Sequence, residues 1–396
     1  MREKSINSRR TKAVSRTKAL DPQKTTYILG GVPCIRNRAS IFKTKPATMT
    51  KTSAYAAQQA KELVQPYQIE RRPVGKRDVR IDIDYCGVCH TDLHFVNNDW
   101  GMTEYPVVPG HEIVGRIAEV GTDVEKFKVG DSAAIGVMVE SCGECSSCQN
   151  DLEQYCKQGF TATYNSPTED PGGQTYGGYS KTITAHENYT LKVPESLESS
   201  ATAPLLCAGI TTYSPLRNWN VSAGMKVGIV GLGGLGHMGV KFSHAMGAHT
   251  VMITTSGSKE EDAQKLGADE VLLSTDSDAM EKEAGEFDFI LNTIPVNHKV
   301  DPYLDLLKLD GTMCVVGAVE PLDQVDASQL MFGRKRMAGS IIGGILETQQ
   351  MLEFCAEKNI VSEVELIRMD EINEAFQRMV KSDVKYRFVI DMSSLN

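Results

Sequence analysis

The sequence predicts an α/β protein in which a mainly β domain is joined to a doubly wound parallel-sheet domain. Short apolar stretches broken by glycine and proline occupy residues 54–194 and are typical of short strands with irregular loops. From about residue 211 to 344, strand patterns alternate with amphipathic helical patterns, which indicates a parallel sheet with helices on both faces. A glycine-rich turn joins the first strand and helix of this second region. At 396 residues, the chain is long enough for two domains and an extension.

The first 48 residues differ in charge from the rest of the chain. They contain twelve Lys/Arg and two Asp/Glu, whereas the remainder contains thirty and forty-nine, so the head is +10 and the body −19. The head has no sustained amphipathic period, which predicts an extension that does not pack against the body. Three interpretations stay open: a disordered tail or an upstream translation artefact before Met49, an organellar transit peptide, and a basic docking arm.

The acidic body disfavours a nucleic-acid partner, because binding to duplexes draws much of its affinity from neutralised phosphates. A membrane partner is not expected either, since no apolar run approaches the roughly 18 residues that a spanning helix needs. We therefore expect a cytoplasmic protein that acts on a small molecule.

Period-two alternation of apolar and polar residues predicts strands at residues 79–85, 113–117 and 118–120. Near the C-terminus, helical patterns at 349–358 and 370–380 precede a final strand at 385–390. The predicted domains are then a basic extension (1–48), a mainly β domain (49–207 with 345–396) and a parallel-sheet domain (208–344).

Four cysteines follow one another at spacings typical of a tetrahedral zinc site: Cys142, Cys145, Cys148 and Cys156. Two-residue gaps let a tight loop turn successive sulfurs inward, and the seven-residue gap returns the chain for the fourth. Four thiolates leave no position for water, so this zinc is expected to be structural. The alternative is a pair of disulfides in a secreted protein, but C-x2-C repeats favour metal and the chain lacks a secretory signal.

A buried-strand pattern at 227–230 leads into a G-x-G-x-x-G turn, which precedes a helix ending at Gly247 and a second strand at 249–255. This context predicts a Rossmann dinucleotide site. Gly231 is expected to make the tight turn, Gly233 to let the backbone approach the pyrophosphate, and Gly236 to let helix and strand pack closely. The alternative is a turn with a purely structural role. The predicted cofactor-binding residues of the turn are Gly231, Leu232, Gly233, Gly234, Leu235 and Gly236.

The end of the second strand indicates which dinucleotide is bound. A site for NAD would carry Asp or Glu there to bind the ribose 2′-hydroxyl. This chain instead carries Thr254, Thr255 and Ser256, followed by Lys259. Hydroxyls and a cation suit a 2′-phosphate, so we predict NADP(H). Alternatively, Lys259 only opens the next helix, whose three acidic residues would weaken phosphate binding.

Two further segments are rich in metal-binding side chains, at residues 86–94 and 109–112, and Cys207 stands alone in an apolar stretch. No local spacing requires Cys89, His111 and Cys207 to meet. By pattern alone, Cys207 is typical of a buried core thiol.

Taken together, these motifs resemble the zinc-dependent medium-chain alcohol dehydrogenases, over nearly all of residues 54–394. The resemblance is to the cinnamyl alcohol dehydrogenase branch and its bacterial broad-specificity NADPH aldehyde reductases. It rests on Cys-Gly-Val-Cys-His-Thr-Asp (86–92), Pro-Gly-His-Glu (109–112), the four cysteines, Leu-Leu-Cys-Ala-Gly-Ile-Thr (205–211) and the glycine turn. It implies a GroES-like catalytic domain, a homodimer joined through the Rossmann domains, and reversible reduction of aromatic and aliphatic aldehydes to primary alcohols.

The resemblance also implies the reaction centre. Cys89, His111 and Cys207 would bind a catalytic zinc, with Glu112 as an occasional or alternate ligand, which gives two Zn²⁺ per chain with the structural site. Thr91 resembles the family's proton-relay hydroxyl and His94 the histidine that passes the proton to solvent. The alternatives are an ordinary turn hydroxyl and a surface histidine.

Other assignments by resemblance concern cofactor and substrate. The further cofactor contacts are Thr211, Thr293, Gly317, Ser340 and Ile342. The substrate-pocket candidates are Trp100, Phe160 and Tyr164. Around Thr161 the chain lacks the bulky tryptophan of the plant lignin enzymes, which disfavours a dedicated phenylpropanoid role.

Two other functions compete with aldehyde reduction. One is an NAD-dependent polyol or formaldehyde-type dehydrogenase, which the missing acidic residue after the second strand disfavours. The other is a non-catalytic NADPH-binding or redox-sensing protein, which the retained zinc ligands and relay residues disfavour.

Overall fold

A computed structural model describes residues 49–317, 320–322 and 324–395. The predictions for residues 1–48 lie outside the described residues. Two large sheets organise the rest, one of seven strands and one of six parallel strands. The predicted α/β fold class, a mainly β domain combined with a doubly wound parallel sheet, is therefore confirmed.

The first part of the chain builds most of the seven-stranded sheet and leads into the second part. Its strands and helices are β1 (Thr50–Ala56), β2 (Gln65–Arg71), β3 (Asp78–Gly87), α1 (His90–Asn97), β4 (Ile113–Val120), β5 (Ser132–Ile135), β6 (Met138–Glu140), β7 (Thr161–Ala162), β8 (Thr182–His186), β9 (Leu191–Lys192), α2 (Ser199–Thr202) and α3 (Ala208–Asn218).

The second part builds the parallel sheet and then returns to the first sheet. Its strands and helices are β10 (Lys226–Val230), α4 (Gly236–Ala245), β11 (His249–Thr254), α5 (Glu260–Lys265), β12 (Glu270–Leu273), α6 (Ser277–Lys282), β13 (Phe287–Asn292), α7 (Asp301–Asp305), β14 (Leu307–Val315), α8 (Ala327–Gly333), β15 (Arg336–Gly339), α9 (Ile345–Lys358), β16 (Val364–Arg368), α10 (Ile372–Val380) and β17 (Arg387–Asp391).

The parallel sheet has the strand order β12-β11-β10-β13-β14-β15, with β10 at the point where the order reverses. Ligands bind outside the carboxyl ends of the strands at such a point. The glycine turn follows β10 and lies there. Apolar side chains bury both faces of this sheet, in two clusters that include Phe242 and Phe287.

The seven-stranded sheet has the order β16-β17-β3-β4-β5-β9, with β8 also paired to β3. β17 runs antiparallel to β3 and places Ile390 opposite Cys86. The C-terminal strand therefore lies beside the segment that leads into Cys89. The domain limits at 207/208 and 344/345 stay a prediction, although the sheets draw on matching parts of the chain.

Element limits differ from the prediction by a few residues. α9 begins four residues before the predicted position, and α10 begins two residues later because a short 3₁₀ turn (Met369–Glu371) precedes it. β16 was not predicted, since its alternation is irregular: Leu366 is exposed on the strand while Ile367 beside it is buried. In the described part of the chain, no helix is long and apolar enough to cross a membrane.

Candidate active site

The four predicted structural cysteines lie together in a loop that we call the zinc lobe, residues 142–156. The four cysteine sulfurs all lie within 4.8 Å of one another. The Cys148 sulfur is 3.5 Å from that of Cys145 and 3.8 Å from that of Cys142. A zinc ion bound by thiolates at about 2.3 Å sets sulfurs roughly 3.8 Å apart, so the four donors fit this ion.

Backbone and side-chain donors around the lobe prepare its sulfurs for a metal. Hydrogen bonds from the backbone at Cys148 and Lys157 lower the pKa of the Cys145 thiol to about 6. Burial raises the pKa of Cys148 to about 12, against a hydrogen bond with Ser141 whose oxygen lies 3.2 Å from the sulfur. One thiolate is thus ready at neutral pH, and metal binding would displace the remaining protons.

A second cluster of donors forms where three distant segments meet. Cys89 precedes α1, His111 and Glu112 precede β4, and Cys207 precedes α3, yet their ligand atoms lie within 4.8 Å of one another. Among the described residues, His111 Nε2 and Glu112 Oε2 are buried without a hydrogen-bond partner. Two sulfurs and an imidazole with unsatisfied nitrogen fit a Cys2His zinc site, with a carboxylate beside it.

The cluster is polarised before any metal binds. A hydrogen bond with Cys207, 4.0 Å away, lowers the pKa of Cys89 well below its ordinary value and raises that of Cys207. Burial disfavours a charged His111, but the Cys89 sulfur and the Asp92 carboxylate outweigh it and raise its pKa to about 9.

Asp92 holds this arrangement together. Its buried carboxylate accepts hydrogen bonds from the backbone of Cys89 (3.0 Å) and Gly110 (3.1 Å) and from the Tyr179 hydroxyl (3.1 Å). Its Oδ1 also lies 3.6 Å from His111 Nδ1. Carboxylates in this position orient the histidine that binds a metal. Asp92 thus links the segment that carries Cys89 to the segment that carries His111.

The two predicted relay residues lie on α1, directly after Cys89. The Thr91 hydroxyl is 3.5 Å from the Cys89 sulfur. His94 lies three residues further along, on the same helix face, and its Nδ1 is 2.7 Å from Asp99 Oδ2. The structure therefore sets one hydroxyl beside the cluster and one partly exposed histidine farther out.

Each glycine that the sequence singles out has a distinct environment in the turn. Gly231 has a φ of +92°, which is unfavourable for residues with a side chain. A Cβ at Gly233 would meet nothing within 4 Å, whereas one at Gly236 would lie 1.8 Å from the Gly231 carbonyl oxygen. The turn thus offers open backbone at Gly233 and close helix-to-strand packing at Gly236, which fits a bound pyrophosphate.

The loop after β11 lies next to this turn. Lys259 Nζ donates to the Leu232 carbonyl at 3.1 Å, so the lysine bridges the loop and the glycine turn. The Ser256 and Ser258 hydroxyls are 2.8 Å apart, and the backbone N–H of Ser256 donates to the Thr254 hydroxyl at 3.4 Å. Hydroxyls and one cation converge here, which suits a 2′-phosphate.

Of the other predicted cofactor residues, Thr293 supports the turn from behind. The Thr293 hydroxyl donates to the carbonyls of Val230 (2.8 Å) and Gly231 (3.1 Å). A Cβ at Gly317 would lie 2.4 Å from the Thr293 carbonyl oxygen. Thr211 is buried in the first turn of α3, four residues after Cys207. Ser340 and Ile342 lie between β15 and α9, and Leu235 directly precedes α4.

Comparison with known proteins identifies the family to which the chain belongs. Residues 75–195 match the alcohol dehydrogenase GroES-like domain, and residues 234–357 match the zinc-binding dehydrogenase family. Aldehyde reductase YahK of Escherichia coli is 54% identical over 347 residues, which cover 87% of this chain and 99% of that protein. The chain belongs to the zinc-dependent medium-chain alcohol dehydrogenases. The family prediction is therefore confirmed.

Two further matches extend across the same region. NADP-dependent alcohol dehydrogenase C 1 of Mycolicibacterium smegmatis is 51% identical over 348 residues, which cover 88% of this chain and 99% of that protein. The solved structure of a cinnamyl alcohol dehydrogenase from Sorghum bicolor superposes with a TM-score of 0.84 at 41% identity, covering 88% of this chain and 99% of that one. The fold of this dehydrogenase thus combines GroES-like and Rossmann domains.

Aromatic rings line one side of the dehydrogenase site. Tyr164 stacks on His111 with ring centroids 5.7 Å apart. It also meets Phe95 in a T-shaped contact, with ring centroids 5.1 Å apart. The ring centroid of Trp100 lies 5.3 Å from that of Phe95 and 5.1 Å from that of His94. Of the three predicted substrate-pocket residues, Tyr164 therefore lies against the cluster, and Trp100 lies behind Phe95 and beside His94. Phe160 instead packs against the core shared with the parallel sheet.

Sequence reasoning did not identify Arg387, which connects both halves of the site. Its buried guanidinium forms an ion pair with Glu112, and a Cβ at Gly234 would lie 3.0 Å from it. Burial raises the pKa of Glu112 to about 7, against the opposing charge of Arg387. One indication of this role was present in the sequence. An arginine at the start of the apolar strand β17 is expected to be buried, and a buried arginine needs a charged partner.

Proposed function

We propose that this dehydrogenase reduces aldehydes to primary alcohols with NADPH, reversibly and over a range of aromatic and aliphatic substrates. The observation that carries the proposal is the buried cluster of Cys89, His111, Glu112 and Cys207, joined through Arg387 to the glycine turn. The relatives named for aldehyde reduction and NADP dependence support the reaction and the cofactor.

We propose a role for each residue at the centre. Cys89, His111 and Cys207 would hold the catalytic zinc, Glu112 would stand beside it, and the four sulfurs of the zinc lobe would hold the structural zinc. Bound zinc supplies a Lewis acid that polarises the aldehyde oxygen, and bound NADPH supplies a hydride to its carbon. Thr91 would then donate a proton to the product oxygen.

His94 would return the proton from solvent to Thr91, because it lies farther out on the same face of α1. Its Nδ1 hydrogen bond to Asp99 fixes the orientation of the ring. At the other end of the site, the glycine turn would bind the pyrophosphate, and Lys259 with the neighbouring hydroxyls would bind the 2′-phosphate. Trp100 and Tyr164 would form an apolar wall for the substrate.

We further propose a homodimer joined through the parallel sheets. β15 is the edge strand of that sheet, and α8, which directly precedes it in the chain, exposes 90% of Phe332 and 76% of Met331. Apolar groups next to a sheet edge are typical of an interface. A cytoplasmic location is also proposed, because none of the nine cysteines of the described chain forms a disulfide, as expected in a reducing compartment.

Steady-state kinetics test the proposal. The zinc-loaded protein is assayed with NADPH and NADH against aromatic and medium-chain aldehydes, and in reverse with alcohols and polyols. We expect oxidation of NADPH by many aldehydes and a lower KM for NADPH than for NADH. Protein that holds two zinc ions but oxidises no NADPH would rule out the enzyme, and a preference for NAD with polyols would favour a polyol dehydrogenase.

A further inference from the structure

The segment between β15 and α9, residues 340–344, links the parallel sheet back to the other sheet. Its Ile342 has a φ of +37°, although β-branched residues rarely adopt positive values. The Ile342 side chain is buried in the core beneath the parallel sheet. A disfavoured backbone conformation persists only where its surroundings hold it. Contacts from outside the segment must therefore hold it in place.

The zinc lobe supplies those contacts. Glu153 Oε2 accepts a hydrogen bond from the backbone N–H of Ile345 at 3.1 Å, and the Tyr155 hydroxyl accepts one from that of Ile341 at 3.3 Å. Between these two bonds, a Cβ at Gly344 would lie 1.9 Å from the carbonyl oxygen of Asp151. The lobe thus contacts the segment near its start, at Ile341, and at its junction with α9, at Gly344 and Ile345.

Glu153 is also well placed electrostatically. Ile345 is the first residue of α9, whose cap residue Gly344 offers no side chain to accept the free N–H groups of the first turn. A carboxylate at a helix N-terminus satisfies such a donor and interacts favourably with the helix dipole. Glu153 performs this role from a different part of the chain, 192 residues away in sequence.

We propose that Glu153 and Tyr155 are positioning residues through which the structural zinc lobe orders the cofactor-binding segment. The inference rests on the proposed function, because it takes Ser340 and Ile342 to line the NADPH site. Cys156 directly follows Tyr155, so a metal bound by the four cysteines fixes the backbone that carries both side chains. The lobe then stabilises the conformation of the segment to which NADPH binds, and loss of either contact weakens cofactor binding.

The test is the Kd for NADPH, measured by the fluorescence of the bound nicotinamide, in zinc-loaded wild type and variants. Zinc content is measured for each protein. For Glu153→Ala we expect Kd to rise about five- to tenfold, as for loss of one intramolecular hydrogen bond of ordinary net strength. Glu153→Gln keeps an acceptor oxygen without the charge, so it should raise Kd by less than Glu153→Ala does. Glu144→Ala, a change of an exposed acid on the same lobe, is the matched control.

Tyr155→Phe removes only a hydroxyl and should raise Kd in the same direction, with KM for NADPH rising and kcat nearly unchanged. If Glu153→Ala and Tyr155→Phe both hold two zinc ions and bind NADPH as wild type does, the positioning role is wrong. If wild type itself binds no NADPH, the proposed function fails instead.

Discussion

The sulfur of Cys89 lies 4.0 Å from the sulfur of Cys207, although 118 residues separate them in the sequence. Their hydrogen bond lowers the pKa of one thiol and raises that of the other. The fold therefore brings two cysteine sulfurs together beside His111 without help from local spacing. Such a preformed donor set reduces the ordering that metal binding requires.

Asp92→Asn is expected to weaken the catalytic zinc site. The carboxylate accepts three hydrogen bonds and faces His111, and an amide would turn N–H groups toward backbone donors. We expect about 10- to 100-fold lower zinc affinity at this site, as found when residues behind metal ligands are changed. Competition with a chelator measures it. Asp82→Asn, on the exposed side of β3, is the control, and equal zinc affinity in both variants would contradict the role.

Lys259→Ala is expected to change the choice of dinucleotide. The ammonium lies between the hydroxyl-rich loop and the glycine turn, so its loss removes a charged donor to the 2′-phosphate. We expect the Kd for NADPH to rise about tenfold or more and that for NADH to stay constant. Lys265→Ala, which affects an exposed pair with Glu261 on α5, should alter neither. Equal losses for both dinucleotides would show that Lys259 does not bind the phosphate.

Arg387→Gln is expected to destabilise the protein strongly. The substitution leaves the buried Glu112 carboxylate without its partner, which typically costs about 3–5 kcal/mol. Glu112→Gln combined with Arg387→Gln should recover much of that loss, because no buried charge remains unpaired. Urea unfolding of the zinc-loaded proteins measures the free energies. Arg368→Gln, at an exposed position, serves as the control. If Arg387→Gln lowers the free energy of unfolding as little as Arg368→Gln does, the buried ion pair does not stabilise the protein.

His237 predicts how stability depends on pH. Burial lowers the pKa of this histidine to about 3, while Ser362 lies 2.9 Å from its Nε2. In the unfolded chain its pKa is near 6.5, so below that pH the unfolded state binds the proton and the folded state does not. The stability that His237 contributes is complete above pH 6.5 and falls by about 1.4 kcal/mol per pH unit toward pH 3.

Comparing wild type with His237→Gln separates the pH-dependent stability that His237 contributes from the effect of acid-induced zinc loss. Both proteins share the zinc loss. Between pH 7 and 5, the unfolding free energy of wild type should fall by about 2 kcal/mol more than that of the variant. His249→Gln, at an exposed position, should follow wild type. Parallel curves for wild type and His237→Gln would mean that His237 is not buried as a neutral group.

How far the sequence predicts this protein depends on how local each feature is. The zinc lobe and the glycine turn are contiguous, so spacing alone located them, and strand and helix periodicity predicted the fold class. Cys89, His111 and Cys207 came together only through the family resemblance. Arg387 and Glu153 were missed because each acts on a partner 275 or 192 residues away. No motif surrounds Arg387, and the cysteine motif around Glu153 indicates a metal site but not a contact with a distant helix.

The central claim is that Cys89 holds a catalytic zinc, and Cys89→Ser tests it most directly. Zinc content and NADPH oxidation with an aldehyde are measured together, with Cys86→Ser as the control because Cys86 is a buried thiol three residues away, outside both donor clusters. We predict that Cys89→Ser keeps one zinc per chain and loses several orders of magnitude in turnover, while Cys86→Ser keeps two and remains active. Near-normal turnover of folded Cys89→Ser would contradict zinc catalysis at this site.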